Sequence, residues 1–228
     1  MRSHHHQAIV VIGSGETAEI AYEYFTHDSP YTVVAFAVEG SHMVTSDLLG
    51  LPVVPLEELK TRFDPTAYGA FVAVSSTKLN RVRARLFNAV RAQGFRCVSY
   101  VSSRAFVWHN VVLGENVFIF ENNVLQHHVN IGDDVVLWSG NHVGHRSRIR
   151  DHCFVSSHVV ISGYCDIGES SFLGVNATFV DGVTVGHDVV VGAGAVVIGN
   201  IEPRSVYVGN PARSTGRDSF ETFHVDDT

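Results

Sequence analysis

From Gln7 to about Ser103, short apolar runs alternate with stretches whose apolar residues recur at helical spacing. AIVVIG reads as a buried strand, and the Gly13-Ser14-Gly15 turn then feeds a helix from about Glu16 to Phe25. YTVVAFAVE predicts the second strand, LPVVP a short extended piece and AYGAFVAV the next strand. LNRVRARLFNAVRAQ is the clearest helix, with N-cap oxygens offered by Ser75, Ser76 and Thr77 and a left-handed stop at Gly94. RCVSYV returns to the sheet. Strands alternating with helices imply a small parallel sheet covered on both faces, an open Rossmann-like domain over 1–103.

Beyond Arg104 the helical period vanishes and a period of six replaces it. Every sixth residue from Val107 to Val197 is apolar, sixteen positions in one frame. At this composition such a run arises by chance on the order of 10⁻⁵ of the time, even over six frames. Gly often follows the apolar position, as at Gly144 and Gly174, and the position four after it is small or β-branched, as at Ser147, Cys153 and Ala177. A chain that turns every six residues needs a large inward side chain, a small one beside it and a tolerant bend. Three edges close one triangular coil, and coils bury their apolar sides only by stacking, so 104–213 is a parallel β-solenoid followed by a tail over 214–228. No break in the frame between Val107 and Glu202 leaves room for a long loop.

Composition narrows the chemistry. A net charge of −7, with no run of Lys or Arg, argues against a nucleic-acid partner. Cys97, Cys153 and Cys165 are odd in number and lack CxxC spacing, so no disulfide framework or zinc knuckle is expected and a reducing cytoplasm fits. No apolar run is long enough for membrane insertion. His4, His5 and His6 are set aside from functional reasoning.

The turn formed by Gly13, Ser14, Gly15, Glu16 and Thr17 follows a strand and opens a helix, where backbone N–H groups can meet a phosphate. Glu39, at the end of the second strand, stands where an acid bonds a ribose, and Ser75 and Ser76 follow a later strand at the sheet's switch point. The domain is short for a six-stranded dinucleotide fold, so a sugar nucleotide suits it better. A tight turn without a ligand is the plain alternative.

The segments VVIGSGETAEIAYEYF, NRVRARLFNAVRAQGFRCVSYVSSRA and the hexapeptide block running through NHVGHRSRI to SVYVGNPAR resemble the PglD/NeuD-like bacterial sugar acyltransferases over nearly the whole chain. The resemblance implies a left-handed parallel β-helix and a homotrimer with acyl-CoA, by default acetyl-CoA, between neighbouring prisms. It implies a nucleotide-linked amino sugar held by the N-terminal domain and a place in surface-glycan, including lipopolysaccharide, biosynthesis. No metal is expected. The family's general base is the His of an apolar-x-His-x-x-x-Ile stretch, which falls on His145, with His142 and His158 as further candidates. The resemblance points CoA to Gly163, Gly174, Asn176, Gly192, Ala193, Asn210, Pro211 and Arg213.

Acyl transfer from a thioester needs a base for the attacking group and a donor for the developing oxyanion, and His158 is a candidate for the second task. Relatives often carry an acid after the base, whereas Arg146 stands here, so Asn141, Asp151 or His142 would have to orient His145. At eighteen residues per coil, His109, His127 and His145 share a column, with Gly163 next above His145. Sugar O-acetylation, a nicotinamide oxidoreductase, a zinc carbonic-anhydrase-like prism and a non-catalytic scaffold are the other readings. The zinc class uses a His-x4-His pair, and no two histidines here stand five apart.

Overall fold

The computed structural model describes residues 7–225, so His4, His5 and His6 lie outside the described residues. The chain divides into two compact units. Among the described residues, the first comprises 7–75 together with Arg85–Tyr100, and the second comprises Ser76–Ala84 with 101–225. The expected division at 103 had kept 76–84 with the N-terminal half.

In the first unit, β1 (Gln7–Ile12) lies between β2 (Tyr31–Val38) and β4 (Gly69–Val72), and β3 (Leu51–Pro55) flanks β2. The strands run parallel in the order β3-β2-β1-β4, with a short antiparallel pairing of Asp47–Leu48 at the β3 edge. Cys97 adds one parallel bridge to Ala70, so RCVSYV joins the sheet by a bridge where a strand was expected. Ile9, Val10, Val11 and Ile12 are sealed on both sides, as the unbroken apolar run of a central parallel strand requires. Helix α1 (Glu16–Asp28) turns Ala18, Ala21 and Phe25 inward at helical spacing, and Phe25 meets Phe71 and Tyr100 edge to face.

Helix α2 (Arg81–Ala92) begins four residues after the Ser75–Thr77 caps anticipated for it. Lys78, Leu79 and Asn80 intervene, all with positive φ. A left-handed run costs about 1–2 kcal/mol per residue, and contacts within the second unit offset that cost. Leu79 is fully buried in a cluster with Val190 and Val206, and the Asn80 amide donates to the carbonyls of Ser170 and Ser171. Gly94, at φ +95°, ends α2 as expected.

The second unit is a left-handed parallel β-helix. Two-residue strands recur every six residues from Phe106–Val107 to Val196–Val197, and each pairs in parallel with the strand eighteen residues away. The first face carries the strands at 106–107, 124–125, 142–143, 160–161, 178–179 and 196–197. The second face carries 112–113 and its successors at eighteen-residue intervals, and the third carries 118–119 and its successors. Fourteen of the sixteen periodic apolar residues, Ile119 to Val197, are at most 2% exposed; Val107 and Leu113, in the first coil, are half-buried. Every sixth residue from Asn116 to Gly194 has φ between 54° and 78°, one left-handed residue per corner. The frame therefore continues without interruption, and the corners are rigidly repeated positions on which polar side chains stack in columns. After the last coil, Ser205–Val208 extends the third face, and Arg213–Asp218 pairs antiparallel to it and leads into a short helix, Ser219–Phe223. Of the segment expected as a tail, residues 214–225 are thus tied into the prism.

Within this unit, segment 76–84 is anchored to the prism through buried charge. Arg83 is 1% exposed and donates to the Asp134 carboxylate at 3.1 Å and to the carbonyls of Asp134, His152 and Cys153. Asn116 and His152 reach the same carboxylate at 2.8 and 2.9 Å. Arg81 pairs with Asp188 and lies over the Phe220 ring.

Candidate active site

The corner between the first and second faces carries the histidine column. His127 and His145 stack with ring centroids 5.6 Å apart, and Tyr164 closes on His145 edge to face at 5.0 Å. Above His145 lies Gly163, and a Cβ there would fall 2.5 Å from the ring's Cε1 and 2.7 Å from Nε2. The glycine is therefore what gives the imidazole its place. His145 is half-buried, whereas His127 and Arg146 are exposed. Partial desolvation and the neighbouring His128, His145 and Arg146 lower the His127 pKa.

Orientation of His145 comes from Gln126, one coil below. Its side-chain oxygen accepts from the His145 backbone N–H at 2.9 Å and lies 3.3 Å from Nδ1. The three residues expected to orient the ring are occupied elsewhere. Asn141 is buried at another corner, donating to the Trp138 carbonyl and accepting from the Val159 N–H. Asp151 accepts from the Asp133 N–H on the edge between the second and third faces. His142 stands on the first face between Val124 and Val160, and its backbone N–H donates to Val159. Sequence reasoning missed Gln126 because it searched beside His145 along the chain, whereas the neighbour that matters is nineteen residues upstream, one coil and one position away.

The opposite edge of the same face gathers other candidates. His158 is exposed, left-handed, and packs its ring against Gly140. Asn176 is the left-handed residue of the next coil there, and Ala193 follows one coil higher. Gly174 and Gly192 have a packing reason of their own. A Cβ on Gly174 would lie 2.6 Å from the Ala193 nitrogen, and one on Gly192 2.8 Å from a Val208 methyl. One strand of the first face separates this edge from His145, so a single chain does not bring His158 to His145. Near the last coil, Arg213 borders a hollow of about 490 Å³ with Val197, Ile198, Asn200 and Tyr207, while Asn210 and Pro211, joined by a cis peptide bond, are exposed.

In the first unit, Gly13 and Gly15 serve different needs. A Cβ on Gly13 would strike the Ala73 carbonyl at 2.7 Å, whereas nothing lies within 4 Å of one on Gly15, the N-cap of α1. Gly13 thus lets the turn pass close to the end of β4, at the point where strand order reverses. Ser14, Gly15, exposed Glu16 and Thr17 present the open start of α1 at that place, and Ser75 is exposed beyond β4. Ser76 is half-buried and belongs to the second unit. The Glu39 carboxylate forms a two-pronged pair with Arg85 at 2.7 and 2.9 Å, which holds its pKa below the ordinary carboxylate value. Among the described residues, no group of three or more His, Cys, Asp or Glu is arranged to hold a metal ion, and no helix is long and apolar enough to cross a membrane.

Comparison with known proteins places these features in context. Residues 128–163 match the model of the bacterial transferase hexapeptide (six repeats). A histidine-to-asparagine variant of perosamine N-acetyltransferase from Caulobacter crescentus, solved with CoA and GDP-perosamine, is 30% identical with a TM-score of 0.84. That match covers 92% of this chain and 97% of that one. The acetyltransferase domain of PglB from Neisseria gonorrhoeae is 25% identical with a TM-score of 0.81, over 91% of this chain and 99% of its own. A Staphylococcus aureus protein named as a candidate acetyltransferase is 40% identical over 52 residues, and this match spans 23% of the chain and only 26% of that curated relative's length.

Proposed function

The chain belongs to the PglD/NeuD-like family of bacterial sugar acyltransferases, and from that premise we propose that it transfers the acetyl group of acetyl-CoA to the amine of a nucleotide-linked amino sugar, with His145 as general base. The observation that carries this reading is an imidazole fixed at a prism corner, held at Nδ1 by Gln126 and given room by Gly163. The match over 92% of the chain to an enzyme solved with CoA and GDP-perosamine supports the substrate class.

The sugar amine attacks the thioester carbonyl carbon as His145 takes one of its protons. The carbonyl oxygen becomes an oxyanion, then the C–S bond breaks, and the CoA thiolate leaves with the proton His145 returns. His158 is the side chain that donates to the thioester oxygen, and His142, on the face between the two edges, is a further candidate for a direct role. Gly163, Gly174, Asn176, Gly192, Ala193, Asn210 and Pro211 flank the pantetheine, and Arg213 offers a cation to its phosphates. Because His145 and His158 stand on opposite edges of one face, a shared cleft in a homotrimer would bring one subunit's His145 edge to its neighbour's His158 edge. In the first unit, Gly13 to Thr17 take the diphosphate, while Glu39 and Ser75 take the nucleoside and sugar. The setting is a cytoplasmic step of surface-glycan assembly.

A mass-spectrometric screen with acetyl-CoA against UDP-, dTDP- and GDP-linked amino sugars, GDP-perosamine included, tests the proposal. A product one acetyl group heavier, with the acetyl on nitrogen and lost in His145→Ala, is the expected result. Transfer to a hydroxyl would replace the N-acyl reading with an O-acyl one. Tight NADH binding without CoA binding would overturn both.

A further inference from the structure

Gln126 does more than touch the proposed base. We infer that it fixes the tautomer of His145, placing the proton on Nδ1 and the lone pair on Nε2. The inference rests on His145 being the base, and it follows from two hydrogen bonds to one atom. The His145 backbone N–H can only donate, so the Gln126 atom 2.9 Å away from it must be the amide oxygen and not the amide nitrogen. That oxygen can only accept. The Nδ1 atom 3.3 Å from it must therefore carry a hydrogen, and the basic nitrogen of the neutral ring is Nε2.

The coil register explains why the amide reaches so far. Leu125 pairs with Val143, and the Gln126 N–H donates to the Val143 carbonyl at 3.0 Å, so Gln126 lies directly below Gly144. Gly144 has no side chain to block the climb, and coils stack about 4.8 Å apart, within reach of a Gln side chain. The corresponding position in other coils holds Trp108, Ser162, Val180 and Ile198, none of which carries a carboxamide.

A neutral acceptor also suits this corner electrostatically. The titratable and charged groups around His145 are His127 and His128 from the coil below, Arg146 beside it, and Tyr164 and Asp181 from above. Asp181 is engaged by the Gly163 N–H at 2.7 Å. A carboxylate at 126 would favour the imidazolium and raise the pH at which the base becomes available; the carboxamide orients the ring without that penalty. Gln126 is thus a positioning residue, filling the orienting role that an acid beside the histidine would otherwise take.

The test uses the full chain labelled with ¹⁵N-histidine. Two-bond ¹⁵N–¹H spectra, with His145 assigned by comparison with His145→Ala, report which ring nitrogen carries the proton. The native protein is expected to show Nδ1–H at a pH where the ring is neutral. Gln126→Met, of similar shape but without the acceptor, should shift the population toward Nε2–H and lower kcat about tenfold or more, with KM for acetyl-CoA little changed. Gln126→Glu should restore Nδ1–H and much of kcat, and move the acidic limb of the kcat/KM profile to higher pH. Native His145 with Nε2–H, an unchanged tautomer in Gln126→Met, or an unmoved limb in Gln126→Glu overturns the inference. Full turnover by His145→Ala would instead sink the general-base reading, and the tautomer spectra would still judge Gln126 by themselves. Should Gln126→Met not fold, Gln126→Glu carries the same decision through the pH profile and the ring spectrum.

Discussion

Substituting Gly163 by Ala tests the site at one atom. The φ of Gly163 is not in the left-handed region, so an alanine is tolerated by the backbone and the perturbation is confined to the added methyl. That methyl would sit 2.5 Å from Cε1 and 2.7 Å from Nε2 of His145, where ordinary carbon contacts are about 3.5–4 Å. The ring must then move by about 1 Å or rotate away, losing the 3.3 Å contact to Gln126. Misplacement of a reacting group by about 1 Å costs on the order of 10²-fold in rate. The expected result is a drop of that order in kcat for acetyl transfer. The thermal midpoint should fall only slightly, because the half-buried ring can yield toward solvent without opening the apolar interior of the prism. Undiminished turnover by Gly163→Ala, with a crystal structure showing the ring displaced, would refute the claim that this imidazole does the chemistry.

The remaining predictions concern stability and thiol chemistry. Arg83→Met leaves the fully buried Asp134 carboxylate without its guanidinium and should cost about 3–5 kcal/mol in a urea melt; a loss below about 1 kcal/mol would mean that Arg83 behaves as a surface ion pair. Cys97, Cys153 and Cys165 are all buried, and burial pushes the Cys153 thiol up to about 12 and the Cys165 thiol up as well. An aromatic disulfide reagent at pH 8 should therefore find no reactive thiol in the folded protein and all three in urea. Arg150 hydrogen-bonds Asp166 and holds its pKa below the ordinary value, so the pair's stabilisation is present above about pH 3.9 and fades as pH falls through the depressed folded value. Arg150→Gln should thus destabilise the protein by up to about 1 kcal/mol at pH 6 and by less at pH 2; equal losses at both would contradict the linkage.

The prism was legible in the sequence because its physics repeats. An inward side chain every sixth residue is demanded at each edge of each coil, so sixteen positions report the same constraint, and even the column of His127, His145 and Gly163 follows from counting by eighteen. The N-terminal sheet was legible for a similar reason, since β1 is buried on both sides and reads as one unbroken apolar run. What escaped were features without a period. The left-handed run at Lys78, Leu79 and Asn80 looks like the start of a helix in local propensity, and only the burial of Leu79 and the Asn80 bonds to Ser170 and Ser171 make that conformation affordable. The Arg83–Asp134 pair joins residues 51 apart that no spacing rule connects.

The gap at His145 is instructive in the same way. An acid in the next position orients a histidine through the chain itself, so its replacement by Arg146 reads as a missing part. In a solenoid the nearest neighbours of a corner residue include those one coil below and one above, and these stand about eighteen residues away along the chain. Gln126 and Gly163 occupy those two places, one supplying an acceptor and the other supplying space. A departure from a linear motif in such a fold is therefore compensated vertically, and the residues to inspect after any corner substitution are those at offsets near eighteen in both directions.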